Sequence, residues 1–205
     1  MRPRAFEQAL AAMDSMQAGE EYGLAPADSK RGLAMEIARI CREENLRPVV
    51  IGGLAVNHHG YLRVTADVDL LLSRPDAARL SARLRRELGW KRYAEGFKNT
   101  VLGVGLDFCV EGDRTSPEWA ETYPSPSAIR TVPAEPLPVA ALSELLALKA
   151  MSGRARDDAD VVELLKRHRA KARSLLAAAR KRLRTAPARA RLATLAKRAR
   201  EENRR

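Results

Sequence analysis

Residues 50–72, VIGGLAVNHHGYLRVTADVDLLL, set two adjacent glycines, Gly52 and Gly53, after a short apolar run. They then place two carboxylates, Asp67 and Asp69, in a segment otherwise made of valine, alanine and leucine. Read as a strand over Val64–Leu72, the segment alternates faces. Val64, Ala66, Val68, Leu70 and Leu72 share the core side; Arg63, Thr65, Asp67 and Asp69 share the other. The two aspartates then project side by side, with Cα atoms about 6.5–7 Å apart. That separation suits a pair of divalent cations, which in two-metal sites stand roughly 3.5–4 Å apart. A solvent-facing strand would also alternate in this way. Against that reading, aspartate is depleted in strands, and like charges on one face repel unless a cation separates them.

Downstream, VGLDFCV (104–110) repeats the pattern. Val104, Leu106, Phe108 and Val110 form a core face, and Gly105, Asp107 and Cys109 lie opposite. If the two strands are neighbours, three acids converge. Upstream, Gly52-Gly53 at a strand end, followed directly by a helix, exposes backbone N–H groups at a helix N-terminus, an arrangement that binds anions. By itself the pair is also an ordinary turn.

A glycine pair, then Asp-x-Asp, then a distant single acid resembles the nucleotidyltransferase superfamily typified by DNA polymerase β. More narrowly, GGLAVNHHGYLRVTADVDLLL followed by LLALKAMSGRARDDADVVELL (145–165) resembles the small prokaryotic enzymes that include AbiE-type toxins of type IV toxin–antitoxin systems. The likeness covers roughly residues 31–168, and the extended C-terminal helical domain of the larger toxins is mostly missing. It implies a nucleotidyltransferase fold, with two Mg²⁺ ions (or Mn²⁺) on Asp67, Asp69 and Asp107. It also implies an NTP donor. Gly52, Gly53, Arg63, Thr65, Lys149, Arg154, Asp157 and Asp160 are the candidate nucleotide-binding residues. It suggests an antitoxin protein as partner and, with the basic tail (residues 169–205) pointing to RNA as the acceptor, tRNA first among RNAs.

Read physically, Leu142, Leu145, Leu146 and Lys149 stand at i, i+3, i+4 and i+7, so the lysine ends an apolar stripe and faces inward. Such a lysine snorkels or pairs with an acid; the resemblance makes it the cation for a triphosphate. Asp157 and Asp160 share a face of the next helix, with Arg154 and Arg156 in the turn. Asp157 is a candidate cap, and either acid is a candidate for orienting Lys149 or an arginine. Arg63 and Thr65, on the carboxylate face, either meet phosphates or brace the aspartates. His58 and His59 point apart on a helix and are poor paired ligands. Cys109 reads as a small filler, and Trp90 and Trp119 as packing residues.

The rest of the chain alternates helices with strands and predicts α+β (α/β-like) packing, a small mixed sheet with helices followed by C-terminal helices. Four segments are expected. Residues 1–28 hold a short helix (Arg4–Gln17) and a loop. Residues 29–125 form the core: a helix after Ser29, the strand VVI (49–51), the two strands above, a helix from Pro75 to about Leu88, and a strand near Asn99–Leu102. Residues 126–168 form a proline-rich connector with one short strand at Ile129–Val132, and two helices, Val139–Met151 and Asp157–Arg167. Residues 169–205 form a basic helical tail interrupted by Pro187. No apolar run approaches 18 residues and no signal-peptide pattern opens the chain, so a cytoplasmic protein without membrane contact is expected. Cys41 and Cys109 fit neither a disulfide framework nor a zinc site.

The net charge of +11 is unevenly distributed. Residues 166–205 carry 16 Lys and Arg against Glu201 and Glu202, or +14; the first 165 residues carry 21 against 24 acids, or −3. Such a tail attracts phosphate backbones with strong salt dependence, or it is a solvated arginine-rich helix that touches nothing. The alternatives to RNA transfer are a small hydroxylated acceptor, as in antibiotic nucleotidylylation, and a protein acceptor, the chain itself included. Outside transfer altogether stand a metal-dependent nuclease and a non-catalytic nucleotide- or nucleic-acid-binding module.

Overall fold

The computed structural model describes residues 29–93, 96–117 and 120–204. The helix expected over Arg4–Gln17, the loop after it and Trp119 lie outside the described residues. The elements run α1 (Ser29–Glu43), β1 (Val49–Val50), α2 (Gly52–His58), β2 (Asp67–Leu72), α3 (Arg74–Leu84), β3 (Trp90–Tyr93), β4 (Gly96–Asn99) and β5 (Val104–Val110). They continue as β6 (Thr131–Val132), β7 (Val139–Ala140), α4 (Leu142–Ser152), α5 (Ala155–Arg167), α6 (Ala172–Arg182) and α7 (Ala186–Glu202). The seven strands form one mixed sheet in the order β3-β4-β5-β2-β1-β7-β6. The pairs β2–β5 and β1–β7 are parallel, and the other neighbours are antiparallel. This is the mixed sheet with helices that the alternation predicts.

The strand carrying Asp67 and Asp69 is shorter than its apolar pattern. Residues 64–66 are not strand, and Val64 is 38% exposed. The cause is Asn57, whose side-chain amide donates to Arg63 O (2.9 Å) and accepts from Arg63 N (2.9 Å). Arg156 donates to Val64 O as well (2.5 Å). These backbone groups are satisfied before a ladder can reach them. From Leu70 on, β2 is buried on both faces, with Leu70, Leu71 and Leu72 all at 0% exposure. This is the pattern of a central strand.

Three other expectations are corrected. The helix opened by Ser73, whose hydroxyl accepts from Asp76 N (3.2 Å), stops at Leu84. Leu88 is therefore 94% exposed rather than part of a stripe. The strand expected over Asn99–Leu102 lies earlier, at Gly96–Asn99, because Asn99 Oδ1 takes the N–H groups of Val101 and Leu102 (3.0 and 3.1 Å) and turns the chain. Its partner β3 was not foreseen; three of its four residues are exposed. Val139 and Ala140 are strand, not helix: Val50 pairs with Val139 and Thr131 with Ala140.

Helix α4 is buried on every side, as residues 143–152 show. It packs against α2, α5, α6 and α7. The basic tail is no idle appendage. Pro187 starts α7 rather than breaking it, with Thr185 as N-cap. Leu183, Leu192, Leu195 and Ala199 join the same hydrophobic core as Leu33 and Leu70. Part of its charge is spent internally, on Arg182–Glu144 (2.8 Å) and Arg191–Asp158 (2.6 Å). Buried Glu121 accepts from Arg184 N (3.0 Å), Thr185 N (2.7 Å) and the Thr185 hydroxyl (2.8 Å), fastening the entry of α7 to the 115–123 segment. The outer faces of α6 and α7 bound a groove of about 690 Å³. It is lined by exposed Arg173, Arg180, Arg189, Lys197 and Arg200, with no acid among its lining residues.

Candidate active site

The two acid-bearing strands are neighbours. Asp67 pairs with Gly105 and Asp69 with Asp107 in parallel register. Strand alternation puts Asp67 and Asp69 on one face, and the register sets Asp107 directly beside Asp69 on that face. The row extends further, since Gly96 pairs with Asp107 and Tyr93 with Gly96. Tyr93, Gly96, Asp107 and Asp69 thus lie in one line across four strands. Gly96 has no side chain to stand in the way, and the Tyr93 hydroxyl donates to Asp107 Oδ1 at 2.6 Å.

The glycines fit the acids rather than an open cradle. Gly52 has φ +63°, and a Cβ there would overlap the Asp69 carboxylate. Gly53 N donates to Asp69 Oδ2 (3.3 Å), and a Cβ on Gly53 would collide with the Thr65 side chain. Thr65 is buried and donates to Asp67 O (3.4 Å). Gly105 likewise leaves room for the Asp67 carboxylate, which its Cβ would strike. Burial, with the charge of Asp107 adding to it, pushes the Asp69 carboxyl up to about 6, against the opposing pull of Lys149, the Gly53 N–H and Arg154.

Behind this face lies a second cluster. Arg63 forks onto Asp160, Nε to Oδ1 at 2.6 Å and Nη2 to Oδ2 at 2.8 Å. Asp160 also pairs with Lys149 Nζ (2.9 Å), and Lys149 bonds to Asp157. Asp157 takes Arg154 Nε (2.7 Å) and the Ser152 hydroxyl (2.5 Å) as well. Both acids orient cations, as the sequence suggests. Lys149 is 5% exposed and held between two carboxylates, so its charge reaches the site through the protein rather than from the cleft wall. Removing one partner of such a buried pair costs about 3–5 kcal/mol.

A cleft of about 740 Å³ opens on the acid face. Asp69 and Asp107 lie on its wall with Arg74, Arg92, Arg114 and Arg154. Arg74 is tied to Asp113 (2.7 Å). Arg92, Arg114 and Tyr93 were not picked out from the sequence; the signal was the alternation in WKRY (90–93), too short to read as a strand. Cys109 also lines the cleft, beside Tyr123, and burial pushes its thiol up to about 12, so it is an inert filler. His59 is buried, donating from Nε2 to Ala140 O (2.8 Å), and burial pushes it down to about 4; it is a neutral packing residue.

The donor set suits a hard divalent cation, because Asp67, Asp69 and Asp107 offer only carboxylate oxygens. As placed, no three His, Cys, Asp or Glu side chains among the described residues are gathered to hold an ion. Asp69 is turned to Gly53, Asp67 lies over Gly105 and Asp107 is taken by Tyr93.

No protein-family model matches the chain, and no curated protein does. Among solved structures it superposes on the crystal structure of an antigenic nucleotidyltransferase-like protein from Paracoccidioides brasiliensis, with a TM-score of 0.55 and 16% identity over 85% of this chain and 90% of that one. It also matches the solution structure of the antibiotic-resistance factor ANT(2'')-Ia, with a TM-score of 0.47 and 17% identity over 76% of this chain and 94% of that one. The former likeness is one of fold: the sheet and its helices are arranged as in a nucleotidyltransferase-like protein. Among the described residues, no helix is long and apolar enough to cross a membrane.

Proposed function

We propose that this chain is a Mg²⁺-dependent nucleotidyltransferase that moves a nucleoside monophosphate from an NTP to a hydroxyl group, with RNA, and tRNA first, as the acceptor. The observation that carries the reading is the register of β2 and β5, which stands three carboxylates on one face, two of them, Asp69 and Asp107, on the wall of an arginine-lined cleft. Asp67, Asp69 and Asp107 would hold the divalent cations. Such ions, when bound, neutralise the triphosphate and stabilise the departing pyrophosphate. Asp107 accepts the proton of the attacking hydroxyl. Arg92, Arg114 and Arg154 line the cleft and offer charge to the phosphates. Arg63, Lys149, Asp157 and Asp160 tie the approach to β2 onto α5, and Lys149, with Arg154 and the Gly53 N–H, keeps Asp69 from rising further.

The RNA part rests on the groove between α6 and α7, whose five cations face solvent with no acid in the groove lining, Lys197 having an acid nearby, Glu201 at 3.8 Å. The AbiE-type resemblance extends the reading to a toxin restrained by an antitoxin protein. A second reading has its own observation: a cleft of about 740 Å³ falls in the range that houses small ligands, so a small hydroxylated acceptor would fit beside the nucleotide.

The test is incubation with Mg²⁺, each α-³²P-labelled NTP and total RNA, beside Asp67→Ala and Asp69→Ala. Label entering RNA with the wild type and falling at least about a hundredfold in both variants, their Tm values remaining within a few degrees, is expected. Unchanged transfer in either variant overturns the assignment. Label in small molecules alone selects the second reading, and no label in any fraction leaves a binding module.

A further inference from the structure

The acceptor position of a nucleotidyl transfer is defined by the carboxylate that takes the hydroxyl proton, and in this chain a hydroxyl already stands there. Tyr93 Oη donates to Asp107 Oδ1 at 2.6 Å. Its place follows from the sheet: Tyr93, Gly96 and Asp107 share one register row, and the side-chain-free Gly96 lets the phenol reach across a strand. Gly105 opens the space from below. A Cβ at that position would come within 2.9 Å of the Tyr93 hydroxyl and would also overlap Asp67, so the phenol oxygen lies between two of the three acids. Tyr93 is 41% exposed, so its ring does not seal the site from a ligand.

We propose that Tyr93 is a nucleotide acceptor in its own right, and that the chain modifies itself at this residue. The inference rests on the nucleotidyltransferase reading above. The Tyr93 O–H bond breaks as its proton passes to Asp107 Oδ1. Tyr93 Oη forms a bond to the α-phosphorus of the NTP, and the bond from that phosphorus to the β-phosphate bridging oxygen breaks. Pyrophosphate leaves with that electron pair. The product is a tyrosyl nucleoside monophosphate diester, and no oxidant or reductant enters. The modification removes the phenolic proton and fills the acceptor position, so it converts the chain to a form closed to external acceptors.

The experiment incubates the full chain with Mg²⁺ and each NTP without RNA, then takes its intact mass and maps the modified peptide. A gain of one nucleoside monophosphate residue, located on Tyr93, reversed by phosphodiesterase and absent from Tyr93→Phe, is expected. Because the peptide map of the wild type locates the modification, the result does not depend on the variant folding. Modification of another residue, or none while added RNA is labelled, overturns this inference and leaves the nucleotidyltransferase reading standing. Failure to label either the chain or any added acceptor brings down both.

Discussion

A methyl group at position 52 would occupy the space now held by the Asp69 carboxylate, on a backbone whose φ of +63° already disfavours any side chain. The residue is therefore glycine for a reason that belongs to Asp69, seventeen positions on. Gly52→Ala is expected to lower transfer at least about tenfold by displacing Asp69, and to lower Tm. The steric part of that Tm loss should shrink when Asp69→Ala is added, leaving the backbone cost of about 1–2 kcal/mol. Strictly additive Tm losses would show that the two residues do not meet. At this scale much was legible in advance. Period-two alternation places Asp67, Asp69 and Asp107 on the faces where they are found. What alternation could not supply was the pairing of β2 with β5, or that Asn57 would end the strand at Asp67. Both depend on partners distant in sequence.

His59, just after α2, and Asp69, within β2, are two groups whose protonation pulls in opposite directions. Burial, first, and Asp107 push the Asp69 carboxyl up from 3.8 to about 6. In the metal-free protein its contribution is fully present below the ordinary value and is lost as pH rises through about 6. Burial pushes His59 down from 6.5 to about 4, so its contribution is fully present above 6.5 and is lost as pH falls through about 4. Each shift is worth roughly 3 kcal/mol, and across this window the two offset each other. Asp69→Asn removes one of them, and its Tm is expected to climb several degrees from pH 4 to 6.5 by differential scanning calorimetry without metal. A profile no steeper than that of the wild type would overturn the pairing. Periodicity decides which elements the sequence reveals. Helix α5 announces itself through Val161, Leu164 and its flanking charges. The strand expected at Ile129–Val132 is found as β6, shortened to Thr131–Val132, whereas β7, of two residues, has no period to read and exists only through the strands beside it.

Over the whole molecule, charge and packing are divided between the two faces of the last helices. Their inner face, with Leu183, Leu192, Leu195 and Ala199, completes the core, so truncation at residue 170 would expose it. The outer face is tested by substitution instead. Replacing Arg173, Arg180, Arg189, Lys197 and Arg200 with glutamine is expected to preserve Tm and to flatten the salt dependence of RNA binding. The log–log slope should lose about one unit for each phosphate contact removed. RNA labelling that ignores these changes would place the acceptor elsewhere. Composition revealed that the tail was basic; it could not reveal that a third set of its residues is hydrophobic packing and a fourth is salt bridges to Glu144 and Asp158, because each needs the fold to bring its partner. The clasp at Glu121 binds these levels together. The same residue whose carboxylate buckles the entry of α7 offers its main-chain oxygen to Thr115 N (3.0 Å), and Thr115 walls the acid-lined cleft. The groove and the cleft are thus two rooms with a shared partition. The carboxylate that holds the entry of α7 and the carbonyl that holds a wall of the cleft belong to one residue, so a displacement of Glu121 reaches both.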